Sequence, residues 1–229
     1  MPHPLDRAVW NALNTRLAGF VTPDSDTRAV RIDPEVGVFL CGADATPESL
    51  AAMADLARRY PGAGIIERTG GPMAAPDLPD IEVVDRIPLV QMVATALTPG
   101  GPDPVFETLT EADAPDMLAL ATLTKPGPFR SATRRLGPFI GIRSAGRLVA
   151  MAGRRMRVDG FTELSGVCTH PDWRGRGHAA ALSRAVAGEI LAAGEGVFLH
   201  AFAEHPATIA FYRSLGFEVR AEMTYTILR

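Results

Sequence analysis

Between Phe161 and Gly194 the chain reads as a strand, a loop rich in glycine and arginine, and a long amphipathic helix, with nothing between them. "FTELSGVCT" has the apolar and β-branched content of a strand that ends near Thr169. "GHAAALSRAVAGEILAAG" places Leu182, Val186 and Ile190 at steps of four, with Ala185 and Ala193 on the same stripe, which is the spacing of a helix laid on a sheet. Gly194 and Gly196 then end it. Strand and helix joined this way form neighbouring layers of an α/β structure, with the loop at the edge of the sheet.

That loop, "HPDWRGRG", has a chemistry of its own. The first amides of a helix have no intrahelical acceptor, and the helix dipole leaves partial positive charge there. Gly175 and Gly177 let the backbone approach a ligand or take a positive φ, and Arg174 and Arg176 add charge-assisted contacts to phosphate oxygens. The loop suits a pyrophosphate, and the plain alternative is a solvated turn. "GRGHAA" also satisfies the dinucleotide pattern G-x-G-x-x-A, but that motif needs its first glycine at the strand end, and "HPDWR" intervenes. A P-loop would need Gly-Lys-Ser/Thr after the second glycine, and the chain lacks it.

The same element types run along the whole chain. "LDRAVWNALNTRL" predicts a helix, "VGVFLC" a strand, and "TPESLAAMADLARRY" a helix capped by Thr46 with Pro47 in its first turn. "GIIE" and "IEVVDRIPLVQMVA" are strand-like. Proline and glycine cluster at Arg68–Asp80 and again at Thr98–Pro104, and the second cluster reads as a linker. After it come a strand "VFETLT", a helix "TEADAPDMLALATL" capped by Thr110, a hairpin turning at "SAGR", and the strand, loop and helix described above. A strand "VFLHAFAE", a helix "PATIAFYRSLGF" and a strand "EVRAEMTYTIL" finish the chain. The expectation is a mixed α/β fold in two parts: an N-terminal α/β domain of unknown role at residues 1–103 and a second domain at 104–229.

A net charge of −3 gives no basic field to draw nucleic acid or a membrane surface, so neither is expected as a partner. Cys41 and Cys168 lie in separate apolar runs and read as buried free thiols of a reducing compartment. The N-terminal residues lack the unbroken apolar core of a signal peptide, and no later segment is apolar enough to span a bilayer, so a cytoplasmic protein is expected. His3, His170, His178, His200 and His205 show no zinc spacing, no Gly-x-Ser-x-Gly elbow occurs, and no metal is expected. "RRMR", Arg154 to Arg157, either meets an acidic substrate or is a solvated strand end.

"VCTHPDWRGRGHAAAL" resembles the acyl-CoA-binding motif of the GNAT N-acetyltransferase superfamily, Gln/Arg-x-x-Gly-x-Gly/Ala, which falls here on Arg174, Gly177 and Ala179. "ATIAFYRSLGFE" is similar to the family's second signature, an Ala-x-x-x-Tyr helix leading to Leu-Gly-Phe. The resemblance spans about Phe106 to Arg229, and residues 1 to about 103 resemble the preceding half of two-part members only in their order of elements. It implies a GNAT-like fold in the C-terminal part, acetyl-CoA as cosubstrate, and transfer of an acetyl group to a primary amine of a small molecule or peptide. It implies that Arg174, Gly175, Arg176, Gly177, His178 and Ala179 hold the pyrophosphate, and that Val167, Cys168 and Thr169 hold the pantetheine arm through their backbone. Tyr212 stands where the family carries its general acid, and an ordinary phenol, with a pKa of about 10, keeps its proton at neutral pH. The plain alternative is a helix aromatic packed on the sheet.

Strand alternation puts Glu163, Ser165, Val167 and Thr169 on one face, which makes Glu163 a candidate base beside the cleft; its alternatives are a solvated edge residue, a water chain, or Glu204. His205 stands where the family commonly has Asn touching the CoA arm, and is expected to bind CoA, to accept a proton itself, or merely to open the helix before Pro206. A non-catalytic acyl-CoA-binding or sensing module is the rival class. The acceptor and the oligomeric state, including a homodimer, stay open.

Overall fold

The computed structural model describes residues 3–74, 76–101 and 104–229. After a 3-10 turn at Pro4–Arg7 come α1 (Ala8–Leu13), β1 (Ala29–Arg31), β2 (Leu40–Gly42), α2 (Pro47–Arg59), β3 (Gly64–Arg68) and β4 (Val83–Ala94). Then follow β5 (Glu107–Leu109), α3 (Ala114–Thr124), β6 (Phe139–Ser144), β7 (Arg147–Val158), β8 (Phe161–Thr169), α4 (His178–Ala192), β9 (Gly196–Phe202), α5 (Pro206–Ser214) and β10 (Glu218–Leu228). The fold is mixed α/β, as the sequence predicts.

Local chemistry explains most of the boundaries. The Thr46 side chain accepts from the Ser49 amide and Pro47 opens the first turn of α2, while Arg58 and Arg59 sit at its negative end. Thr110 and Asp113 satisfy each other's backbone donors in a capping box, but the first turn is 3-10, and α3 proper begins at Ala114. Between β6 and β7, Ala145 and Gly146 both take positive φ, the geometry that matches a tight hairpin to strand twist. Three elements differ from expectation. The N-terminal helix is a 3-10 turn followed by a short α1, the strand expected over "VGVFLC" pairs only at Leu40–Gly42, and β1 carries no strand signal that its sequence made visible.

β1 and β2 form a separate antiparallel ribbon, and the other strands form one sheet in the order β3-β10-β4-β9-β8-β7-β6-β5. β4 lies between β10 and β9, with Val90 opposite Glu222 on one side and Gln91 opposite His200 on the other. The expected division into residues 1–103 and 104–229 is therefore not a division of the sheet. "IPLVQMVA" announces a strand, but nothing in it names its neighbours.

Two layers cover the sheet. Leu182, Val186 and Ile190 of α4 and Leu215 behind α5 share a core with Val197, Leu199 and Ala201 of β9. Phe198, between them on β9, belongs instead to the core of α1, Phe39 and Tyr225, so that cluster lies on the opposite face. Met117 and Leu120 of α3 pack with Met151 and Cys168. Each large aliphatic side chain buried this way contributes about 1.5–3 kcal/mol of transfer free energy.

Candidate active site

β8 and β9 run parallel but pair only at Phe161–Gly196, Thr162–Val197 and Glu163–Phe198. Beyond Glu163 they part, although β8 continues to Thr169 and β9 to Phe202, so that edge of β8 has no strand partner. A cleft of about 530 Å³ opens there. Val167, Cys168 and Thr169 line it from β8, Arg174 to Ala180 from the loop and the start of α4, and Thr208, Phe211 and Tyr212 from α5.

At the loop the backbone is open to an anion. Gly177 takes φ 78° and ψ 0° as the helix N-cap and Gly175 takes φ 74°, both left-handed. A Cβ at either would meet nothing within 4 Å, so the glycines are required by conformation and not by crowding from the protein. The first helical bond runs from the Ala181 amide to the Gly177 carbonyl, and no side chain caps the helix. Among the described residues, the amides of Gly175, Arg176, Gly177, His178, Ala179 and Ala180 find no acceptor. Arg176 lies 4.3 Å over the Trp173 ring, which in turn stacks on His178. Both ring nitrogens of His178 and the Thr169 hydroxyl are buried without a partner among the described residues, and polar atoms left this way favour a ligand that supplies one.

At the other end of the cleft stands Tyr212, 9% exposed, its ring edge-on to Phe217. Its hydroxyl has no hydrogen-bond partner among the described residues. Burial, with a smaller contribution from Cys168, raises its pKa, so the phenol keeps its proton well past neutral pH. Cys168 is pushed up to about 11 by burial, so it is a thiol and not a thiolate. Neither Cys168 nor Cys41 is paired, as expected of buried thiols.

Glu163 does not face this cleft. Cys168 is opposite Met151 and Ser165 opposite Gly153, so β8 spends three residues where β7 spends two, and Gly166 takes φ 63° within that bulge. The bulge interrupts the alternation that would put Glu163 with Val167 and Thr169. Glu163 is 0% exposed on the opposite face, held bidentately by Arg155 at 2.8 Å for each bond, by the Met156 amide at 3.2 Å, and by His200 Nδ1 at 2.8 Å. Burial alone would raise the carboxyl, but Arg155, helped by His200, outweighs it and holds the pKa well below the usual carboxylate range. A carboxylate so sealed and so weakly basic is not a general base, and the expectation for Glu163 is corrected. In "RRMR", Arg155 is buried on Glu163 and Arg154 pairs with Glu189 at 2.6 Å, so neither is free for a substrate.

The chain of contacts continues. Arg220 donates to Gln91 Oε1 at 2.7 Å, which fixes the Gln91 amide so that its nitrogen donates to the Leu5 carbonyl and to His200 Nε2. His200 thus bridges Gln91, at Nε2, and Glu163, at Nδ1. Arg220 also pairs with Asp6, which ties the N-terminal residues to the point where β8 and β9 part. Sequence spacing offered no signal for this network, whose members are drawn from six places in the chain.

His205 is also corrected. It opens α5 without capping it, is exposed, packs its ring edge-on to Phe202, and is not among the residues lining the cleft. Glu204, exposed in the turn before it, lies outside the cleft as well. Among the described residues no cluster of His, Cys, Asp and Glu is placed to hold a metal, and no helix is long and apolar enough to cross a membrane.

A parted pair of parallel strands, an uncapped helix start at the cleft's mouth and a tyrosine at its inner end make up the site, and comparison with known proteins says which family carries this fold. The model of the FR47-like protein family matches residues 139–226. The chain is similar to a GNAT-family protein from Novosphingobium aromaticivorans, with 41% identity over 99% of this chain and 98% of that one, and a TM-score of 0.87. A GCN5-related N-acetyltransferase from Kribbella flavida shares the fold at 18% identity and a TM-score of 0.67, over 97% of this chain and 95% of that one. No curated protein matches the chain. The chain belongs to the GNAT acetyltransferase family.

Proposed function

We propose that this protein is an acetyltransferase that moves the acetyl group of acetyl-CoA to a primary amine by direct attack. The observation that carries this reading is the pairing, in one cleft, of six free amides at a helix start with an unpartnered tyrosine hydroxyl. The amides and the partial positive charge of the helix end receive the pyrophosphate, with Arg174 and Arg176 at its flanks. The unpaired edge of β8 at Val167, Cys168 and Thr169 bonds the pantetheine arm as a further strand would.

Acyl transfer to an amine needs one proton removed from the nucleophile and one given to the departing thiolate. Tyr212 does the second, because burial keeps its phenol protonated. Among the described residues no carboxylate lines the cleft, so the amine gives its proton to water. Cys168, held as a thiol, is a poor acyl carrier, which favours direct attack over a two-step relay through the enzyme.

Incubation with acetyl-CoA and a panel of amines, following thiol release, tests the reading. Turnover dependent on both substrates is expected, whereas CoA binding without turnover on any amine would make the protein a sensing module. A Gly177→Ala variant tests the cradle separately. An alanine at φ 78° is strained by about 1–2 kcal/mol, which the free loop relieves by leaving the cradle geometry and CoA must restore, so CoA should bind roughly tenfold more weakly by calorimetry while the fold persists.

A further inference from the structure

Resting on that acetyl-transfer reading, we propose that the amine acceptor carries an anionic group, and that Arg31, Arg130 and Tyr225 receive it on the face of the sheet opposite α4 and α5. The case begins with Arg31, which is 1% exposed yet forms no ion pair among the described residues. Its Nη1 donates to the carbonyls of Ile32, Gly37 and Phe39 at 2.9, 3.2 and 3.4 Å, and its Nε is buried without a partner. Carbonyl dipoles satisfy N–H directions, and the Asp33 carboxylate, whose charge bears on Arg31, forms no ion pair with it, an arrangement that is costly until an anion arrives.

Two further groups converge on the same place. Phe39, whose carbonyl takes Arg31, is bridged to Gly64. On the open side of Gly64 lies the Tyr225 ring, its hydroxyl 2.8 Å from where a Cβ would stand, so only glycine admits it. Two residues earlier, Arg130 Nη2 lies 3.7 Å from the corresponding point at Gly62. Arg130 is exposed and, like Arg31, has no acidic partner among the described residues. It is held over this spot because the Thr133 hydroxyl, which accepts from the Arg130 amide, donates to the Val36 carbonyl at 2.7 Å, and the Ala132 amide donates to the Glu35 carbonyl at 2.9 Å. The Tyr225 hydroxyl also lacks a hydrogen-bond partner among the described residues. Burial raises its pKa, against the opposing charges of Arg155, Arg130 and Arg31, all of which bear on it.

The niche adjoins the Arg155–Glu163 pair, at the point where β8 and β9 part. Arg155 lies 5.0 Å over the Phe39 ring and grips Glu163, the last paired residue before β8 and β9 part. Its charge is therefore matched, while two arginine charges beside it are not. Two guanidiniums and a phenol on one spot are the donors that bind carboxylate or phosphate oxygens.

The experiment compares amines in pairs with acetyl-CoA: β-alanine against propylamine, and phosphoethanolamine against ethanolamine. The anionic member of at least one pair should have a kcat/KM about tenfold or more above its neutral partner, and Arg130→Met should erase that preference. Preference within the first pair identifies a carboxylate, within the second a phosphate. Equal use of both members, or a preference that survives Arg130→Met, overturns the proposal. If no amine is acetylated, calorimetry on the CoA-loaded protein separates the two readings. Binding of β-alanine or phosphoethanolamine that requires Arg130 upholds the niche while the acetyl-transfer reading falls; no such binding overturns the niche.

Discussion

Replacing Tyr212 by phenylalanine should leave CoA affinity unchanged and slow thiol release from acetyl-CoA by about 10²–10⁴, the usual contribution of a positioned proton donor. The substitution removes one oxygen whose only neighbour of consequence is the cleft, since among the described residues it makes no hydrogen bond to protein. Packing against Phe211 and Phe217 is preserved, so stability should hardly move. The pH profile provides a second check. Because burial raises the Tyr212 pKa, deprotonation of this group costs activity only on the far alkaline side, above the ordinary phenol value of about 10. Turnover of Tyr212→Phe equal to that of the native enzyme would remove the residue from the mechanism.

Glu163→Gln should destabilise the fold strongly. It keeps the side chain's shape but leaves the guanidinium of Arg155 buried without a counter-charge, a loss of about 3–5 kcal/mol in pairs of this kind. For a chain of this length that lowers Tm by roughly 6–20 °C. The sign of the pH dependence follows from the depressed carboxyl. Its stabilisation is complete above the unfolded-state value of about 4.3 and is lost as pH falls from there toward the folded value. Thermal melts should therefore separate native and variant proteins widely at neutral pH, and the gap should close on acidification. A variant with native Tm at pH 7 would show that the pair contributes nothing net.

How far the sequence alone reaches differs between the two ends of the cleft. The loop end is legible because its chemistry is local: Gly175 and Gly177 must supply positive φ, and the helix start they precede is marked by "HAAAL" within the same dozen residues. α4 is legible for the same reason, since Leu182, Val186 and Ile190 declare their face by spacing. Glu163 was misplaced because face assignment by alternation fails wherever a strand bulges. Gly166, an isolated glycine inside a strand pattern, was the available signal for that bulge. Arg155 and Glu163 meet across a hairpin whose own register shifts between Arg154 and Arg157, so counting along the strands could not bring them together. Arg31 is more remote still: it lies in a three-residue strand, and nothing local marks it as buried. His205 shows the limit of transferring a role by position, because the backbone that opens α5 turns its ring toward Phe202.

The position of β4 has a consequence for how the polypeptide reaches its final form. This strand precedes both of its hydrogen-bonding neighbours by more than a hundred residues along the chain. Until both neighbours are made its two rows of amides and carbonyls must wait in water or on a chaperone, so completion of the sheet is governed by long-range contacts and is correspondingly slow.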